Sequence, residues 1–306
     1  MVQNHREFGI LYISICLLTA ILHLIGLVLL CKIPSRIANQ RLITTHLVIS
    51  ELFFCTTEAV LYFFKMFDVE WKNWDETQIE SLWLYITHFG STTLFVTANK
   101  LFMFHIILDR FFDIALHLKY PLYFQRKKVV RIILCWWISC SCYCMVMVVL
   151  VMHPSILDFP TAWTIHNFVS MIIDSTIALA AVGTYLYFYR KVKAMTKQDK
   201  ARINIDLSKQ SFTLGRKFLI PFLMIFSYLI FNISATIIYQ VRMIDRSMSS
   251  SLNHLCLQTA RILAVFGFLS DAVLYVFMQR NIRNVISFKI ASLKTTENAL
   301  ALIFQN

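Results

Sequence analysis

An all-α integral membrane protein, with seven transmembrane helices bundled ahead of a short amphipathic eighth, is what this sequence predicts, and three features predict it. Of 306 residues, 58% are hydrophobic and only 15% are charged. That is too little charge to cover a soluble protein of this length. Six glycines and five prolines leave almost no turn chemistry for a many-stranded sheet. The apolar residues gather instead into seven runs, each long enough to cross ~30 Å of hydrocarbon. The chain divides on this basis into an amino-terminal segment (1–7), a seven-span domain (8–278) and a tail (279–306).

The spans are expected at 8–31, 42–65, 86–116, 129–152, 165–189, 217–241 and 256–278. The residues before Phe8 are too few and too mixed for a cleavable signal, so the first span is expected to stay as an anchor. Glu51 and Glu58 fall in the second span, and Asn99, Lys100, Asp109, Arg110 and Asp113 interrupt or end the third. The fourth contains "CSCYC" at 140–144, but no His or further Cys stands at zinc-site spacing, so no metal is expected. Nearly all eight cysteines lie in apolar runs, where a thiol is a small core residue and implies no disulfide framework. Asp174 lies in the fifth span, Pro221 near the inner end of the sixth, and Arg261 and Asp271 in the seventh. Beyond it, "MQRNIRNVISFKIASL" sets Ile282, Val285, Ile286 and Ile290 at helical spacing among basic residues, as in a helix lying along the interface.

The net charge of +12 would suit a nucleic-acid partner, but its placement argues otherwise. One set of loops and the tail carry 21 Lys and Arg, the opposite loops carry 5, and Lys100, Arg110 and Arg261 lie inside spans. By the positive-inside rule the amino terminus faces out and the carboxyl terminus faces the cytoplasm. The basic charge is thus a topology signal, with membrane lipids or a partner protein as its counterpart and no nucleic acid. The outer loop 66–80 is acidic and aromatic, and Trp71 and Trp74 are expected to anchor it among headgroups.

Ionisable groups inside a membrane are costly unless paired, and so mark function. Glu51 and Glu58 are seven residues apart on one helix face; Arg261 and Asp271 are ten apart and close to one face. If the second and seventh spans are neighbours, Glu51 and Asp271 share one depth and Glu58 and Arg261 another. Two carboxylates at one depth need a cation or a proton. Lys100, beside Asn99, is expected to neutralise the Glu51/Asp271 pair; the alternative is that it reaches a different polar cavity.

In the order and spacing of its motifs the chain resembles the rhodopsin-like G-protein-coupled receptors, across the whole seven-span array and the tail helix. Asp109-Arg110-Phe111 resembles the family's Asp-Arg-Tyr, and "KYPLYF" at 119–124 resembles the Pro-Leu-x-Tyr of the following loop. "LVISELFF" at 47–54 resembles the second-helix motif with Glu51 for Asp, and "WWIS" at 136–139 the fourth-helix motif through Trp136. "SDAVLY" at 270–275 resembles Asn/Asp-Pro-x-x-Tyr with Asp271 and Tyr275 kept, and Tyr185 stands as the fifth-helix tyrosine. There are departures. Pro121 lies eleven residues after Arg110, where the family has seven, about one extra helical turn. Ala272 replaces a proline, Leu27 replaces an asparagine, and the sixth span has no Cys-Trp-x-Pro. The cysteines of the family's extracellular disulfide are missing as well.

The resemblance implies a plasma-membrane receptor that passes binding of a small molecule or short peptide to a heterotrimeric G protein. It implies that Arg110, held by Asp109 at rest, is released as the inner face opens, with Phe111, Tyr185 and Tyr275 in the same switch. The ligand is expected between the outer halves of the helices, near Glu58, His88, Thr92, Asp174 and Arg261, with walls from Tyr62, Phe95 and Tyr239. A Glu58–Arg261 ion pair across an empty pocket is the alternative there. No lysine in 256–278 can form a retinal Schiff base. No hydrolase or metalloprotease motif points to an enzyme, and no cofactor is expected. A secondary transporter would show repeats and broken helices. A non-coupling seven-helix scaffold or decoy is the rival that the altered sixth and seventh motifs keep open. The sole sequon, Asn232-Ile-Ser, is inside the sixth span, and no tail cysteine is present for palmitoylation.

Overall fold

The computed structural model describes residues 2–32, 38–67, 86–116, 119–153, 159–201, 223, 225–244 and 250–274, and almost all of these are helical. The helices are α1 (Val2–Lys32), α2 (Ala38–Phe67) and α3 (86–116). They continue as α4 (Arg126–Met152), α5 (Phe159–Ala201), α6 (225–244) and α7 (Ser250–Val273). A single turn, Tyr120–Tyr123, connects α3 to α4 and begins with Pro121 inside its first turn, where a missing N–H costs nothing. Loop 66–80 beyond Phe67, most of 217–224, Tyr275 and the expected tail helix lie outside the described residues.

Among the described residues, six helices are long and apolar enough to cross a membrane: Glu7–Cys31, Arg41–Phe64, Ile86–Asp113, Arg126–Met152, Thr161–Lys191 and Leu255–Val273. The described part of the sixth expected span, Ile225–Val241, is apolar but shorter. This is a multi-pass helical membrane protein. Its burial pattern is the reverse of a water-soluble fold. Leu17, Leu24, Ile138, Met145, Val149 and Leu179 face outward, while His23, Glu51, Asn99, Lys100, Asp174 and Asp271 are buried. Apolar side chains need no burial when the solvent is lipid, whereas polar groups must be satisfied inside.

Helix α1 packs on α2 and α7, α3 on α2, α4 and α5, and α6 on α5 and α7. One apolar core joins α2, α3 and α4 through Leu47, Phe102, Met103 and Ile133. A second joins α1, α2 and α7 through Tyr12, Cys16, Phe54 and Phe268. Trp137 of α4 stacks near Phe102 at 5.4 Å and donates its indole N–H to His46 Nδ1 at 3.1 Å. Trp136 packs against the same core, and its indole nitrogen has no partner among the described residues.

Two helices contain a π-helical turn, Thr92–Val96 in α3 and Leu229–Ile233 in α6. Such turns recur at functional sites and are one of the few ways to bend a helix without proline. The α6 turn lies against Gly267 of α7. A Cβ there would come within 2.7 Å of Asn232 Nδ2 and 3.3 Å of Phe231 Cβ, so a larger residue would have to turn the Asn232 amide aside and crowd Phe231.

Candidate functional site

The polar side chains of the interior form three groups, strung along α3. The first surrounds a cavity of about 650 Å³, open mouth included, bounded by α1, α2, α3, α5, α6 and α7. Glu58, His88, Thr92 and Arg261 line it as expected, and so do Lys100 and Tyr239. Glu58 Oε2 accepts from the Tyr12 hydroxyl at 3.1 Å, and its Oε1 lies 2.7 Å from His88 Nδ1. On the other side of the ring, His88 Nε2 is 3.5 Å from Arg261 Nη2. Arg261 also donates to the Tyr62 hydroxyl and lies over that ring, 5.4 Å from its centroid. The direct Glu58–Arg261 ion pair is thus replaced by a carboxylate–imidazole–guanidinium chain.

The other expected residues are placed differently. Asp174 is not on the cavity wall. It is 3% exposed and accepts from Lys100 at 2.7 Å, from Thr236 at 2.7 Å and from the Tyr228 hydroxyl. Lys100 therefore neutralises Asp174, and its assignment to Glu51 and Asp271 is corrected. The reason is rotational. Consecutive helix residues point about 100° apart, and Asn99 already takes the direction of α2. Of the expected aromatic walls, Tyr62 serves Arg261 and Phe95 stacks on Phe53 at 5.7 Å, while Tyr12, Phe54 and Trp163 line the cavity.

The second group is the pair Glu51 and Asp271, both 0% exposed. Asn99 donates to Glu51 Oε1, and His23 Nε2 stands 3.2 Å from Glu51 Oε2, off the line of a hydrogen bond. Neither Asp271 oxygen meets a donor among the described residues. The charges of the two carboxyl groups act on each other, so the pair needs a proton or a cation to stay buried.

The third group lies at the far end of α3. Arg110 Nη2 donates to Asp109 Oδ2 at 2.8 Å, and Nη1 is 3.7 Å from Asp113. Asp109, 1% exposed, also accepts from the Tyr120 hydroxyl. Burial, with the Asp109 charge beside it, pushes the Tyr120 phenol well above the ordinary tyrosine range. Asn39 of α2 donates to the Phe124 carbonyl and fixes the turn that carries Tyr120. Phe111 packs on Tyr187 at 5.3 Å, and Tyr185 and Tyr187 both lie on the exposed side of α5.

Sequence reasoning missed His23, Tyr12, Tyr120, Asn167 and Tyr228. His23 had a signal, as the one histidine of an otherwise apolar span, but only carboxylates, lysines and arginines were weighed there. The tyrosines carry none, because a hydroxyl at the end of an aromatic ring is at home in any membrane helix. Compared with known proteins, the chain matches no family model and no curated sequence.

Proposed function

We propose that this protein is a receptor of the rhodopsin-like kind, which takes a small extracellular molecule or short peptide into the cavity and activates a heterotrimeric G protein at the cytoplasmic side of the plasma membrane. The observation that carries this reading is that one helix bears both ends of the device. Thr92 and Lys100 of α3 line the cavity, and the buried Asp109–Arg110 pair closes the other end. Thr92 and Arg110 are about 27 Å apart along the axis at 1.5 Å per residue. The reading counts α6 as a seventh crossing, extended by residues 217–224, and takes its orientation from the loop charges.

The mechanism follows from the pairing. Arg110 at a membrane boundary needs a carboxylate or a peptide carbonyl. Asp109 supplies the first within its own helix, and an arriving G protein would supply the second. Exchange between these partners is a two-state element that a ligand can bias only if it binds one arrangement better. Tyr120 takes the other oxygen of Asp109, so that the carboxylate keeps a donor when Arg110 leaves.

Ligand-free guanine-nucleotide exchange on a panel of G proteins tests this, with wild type and Arg110→Ala at matched surface expression. Basal exchange that disappears with the substitution is expected. Exchange equal in the two would reduce the pair to a static anchor of a helix end and favour the non-coupling scaffold.

A further inference from the structure

The hydrogen-bonding groups of the cavity are unbalanced, and the imbalance specifies a ligand class. Two cations stand on its wall, Lys100 and Arg261. Lys100 is held by Asp174. Arg261 meets only neutral acceptors among the described residues, the Tyr62 hydroxyl and His88 Nε2. The nearby Glu58 is occupied by Tyr12 and His88 Nδ1. A neutral His88 with its proton on Nδ1 satisfies both neighbours, donating to the carboxylate and accepting from the guanidinium. Arg261 thus spends two of its five donors on neutral groups and has no carboxylate of its own among the described residues. Elsewhere on the wall, Asn167 is 7% exposed and its Nδ2 has no acceptor among the described residues. Thr92 Oγ1, on the π turn of α3, is buried and likewise lacks a partner among them. Buried donors left in this state destabilise the empty site.

We propose that the ligand is a small organic carboxylate whose acid group binds the Arg261 fork and whose remote oxygen accepts from Asn167. Its flat body lies against the wall formed by Trp163 and Tyr239, whose rings meet edge to face at 6.5 Å. A planar guanidinium matches a carboxylate with two parallel hydrogen bonds. A ligand amine finds no open acid, because both nearby carboxylates already hold their donors. The inference rests on reading the cavity as the ligand site and deepens it to a chemical class.

The test is thermal unfolding of the full chain in lipid nanodiscs with three matched probes: 3-(4-hydroxyphenyl)propionate, its alcohol and its amine. The acid is expected to stabilise at concentrations at least about tenfold lower than the other two, the worth of one charge-assisted contact. Arg261→Gln should erase that preference, and Asn167→Ala should weaken the acid while keeping it. Should Arg261→Gln fail to fold, Arg261→Lys retains the charge without the fork and should lose most of the preference. No stabilisation by the acid, equal stabilisation by alcohol or amine, or an acid effect unchanged in the Arg261 variants would each overturn the proposal. No G protein is present in this assay. Failure of coupling through Arg110 and failure of carboxylate binding are therefore read separately.

Discussion

The buried carboxylates near the cavity and those at the middle of the bundle are the same chemical group in opposite situations. Glu58 and Asp174 are each surrounded by donors: two for Glu58, three for Asp174. Glu51 and Asp271 face each other, with Asn99 the one amide donating to the pair and His23 beside it off line. A carboxylate among cations and hydroxyls is a fixed structural charge. One that faces another carboxylate must share a proton or a cation. Burial alone therefore does not tell which acids a membrane protein keeps charged; the neighbours do.

The largest way to break this contrast is Lys100→Met. It leaves Asp174 buried without its cation and should cost about 3–5 kcal/mol, read as loss of folded protein at the cell surface or in a detergent melt. The double variant Lys100→Met/Asp174→Asn should recover most of it, and Lys100→Met/Glu51→Gln should not. Recovery by Glu51→Gln instead would return Lys100 to the middle pair. Next comes Glu58→Gln, which weakens two hydrogen bonds to an ionised acceptor and should cost about 2 kcal/mol in the same melt.

Glu51→Gln should fall below about 1 kcal/mol in either direction, because an amide can donate to Asp271 where the acid had to find a proton. A loss as large as that of Lys100→Met would show that the middle pair depends on a charge. An effect of similar small size is expected at Asp109, which lies between the two extremes with one cation and one phenol. Tyr120→Phe should cost about 1 kcal/mol at neutral pH. Its pH dependence has a definite sign. The phenol is raised in the folded state by burial and by Asp109. The stability it adds is therefore complete below the ordinary tyrosine pKa of about 10 and declines as pH rises through the folded value. Wild type and Tyr120→Phe melts should keep a constant gap up to that point and converge above it.

Much of the fold was legible because span detection adds up local hydropathy. The expected 42–65 is found at Arg41–Phe64, and the expected 129–152 at Arg126–Met152. The partners were less legible, because they depend on how each helix is rotated. Depth alone put Lys100 with Glu51 and Asp271; rotation gave Glu51 to Asn99 and turned Lys100 to α5. Glu58 and Arg261 stood out in the sequence because each is a costly group in a membrane. The chain they form through one imidazole did not, since no spacing along a single helix encodes it.

The π turn at Thr92–Val96 has a consequence for counting. A π turn carries one residue more than the α turn it replaces, so every side chain after it is advanced by about 100° relative to an unbroken α-helix. His88 and Ser91 before the turn obey one phase, and Lys100, Asp109 and Arg110 after it obey another. The two ends of the third helix are thus separate reading frames on a single rod. An alignment that runs straight through the turn will pair the wrong faces on one side of it, whereas one that skips a single position there will bring the cavity and the inner arginine into register together.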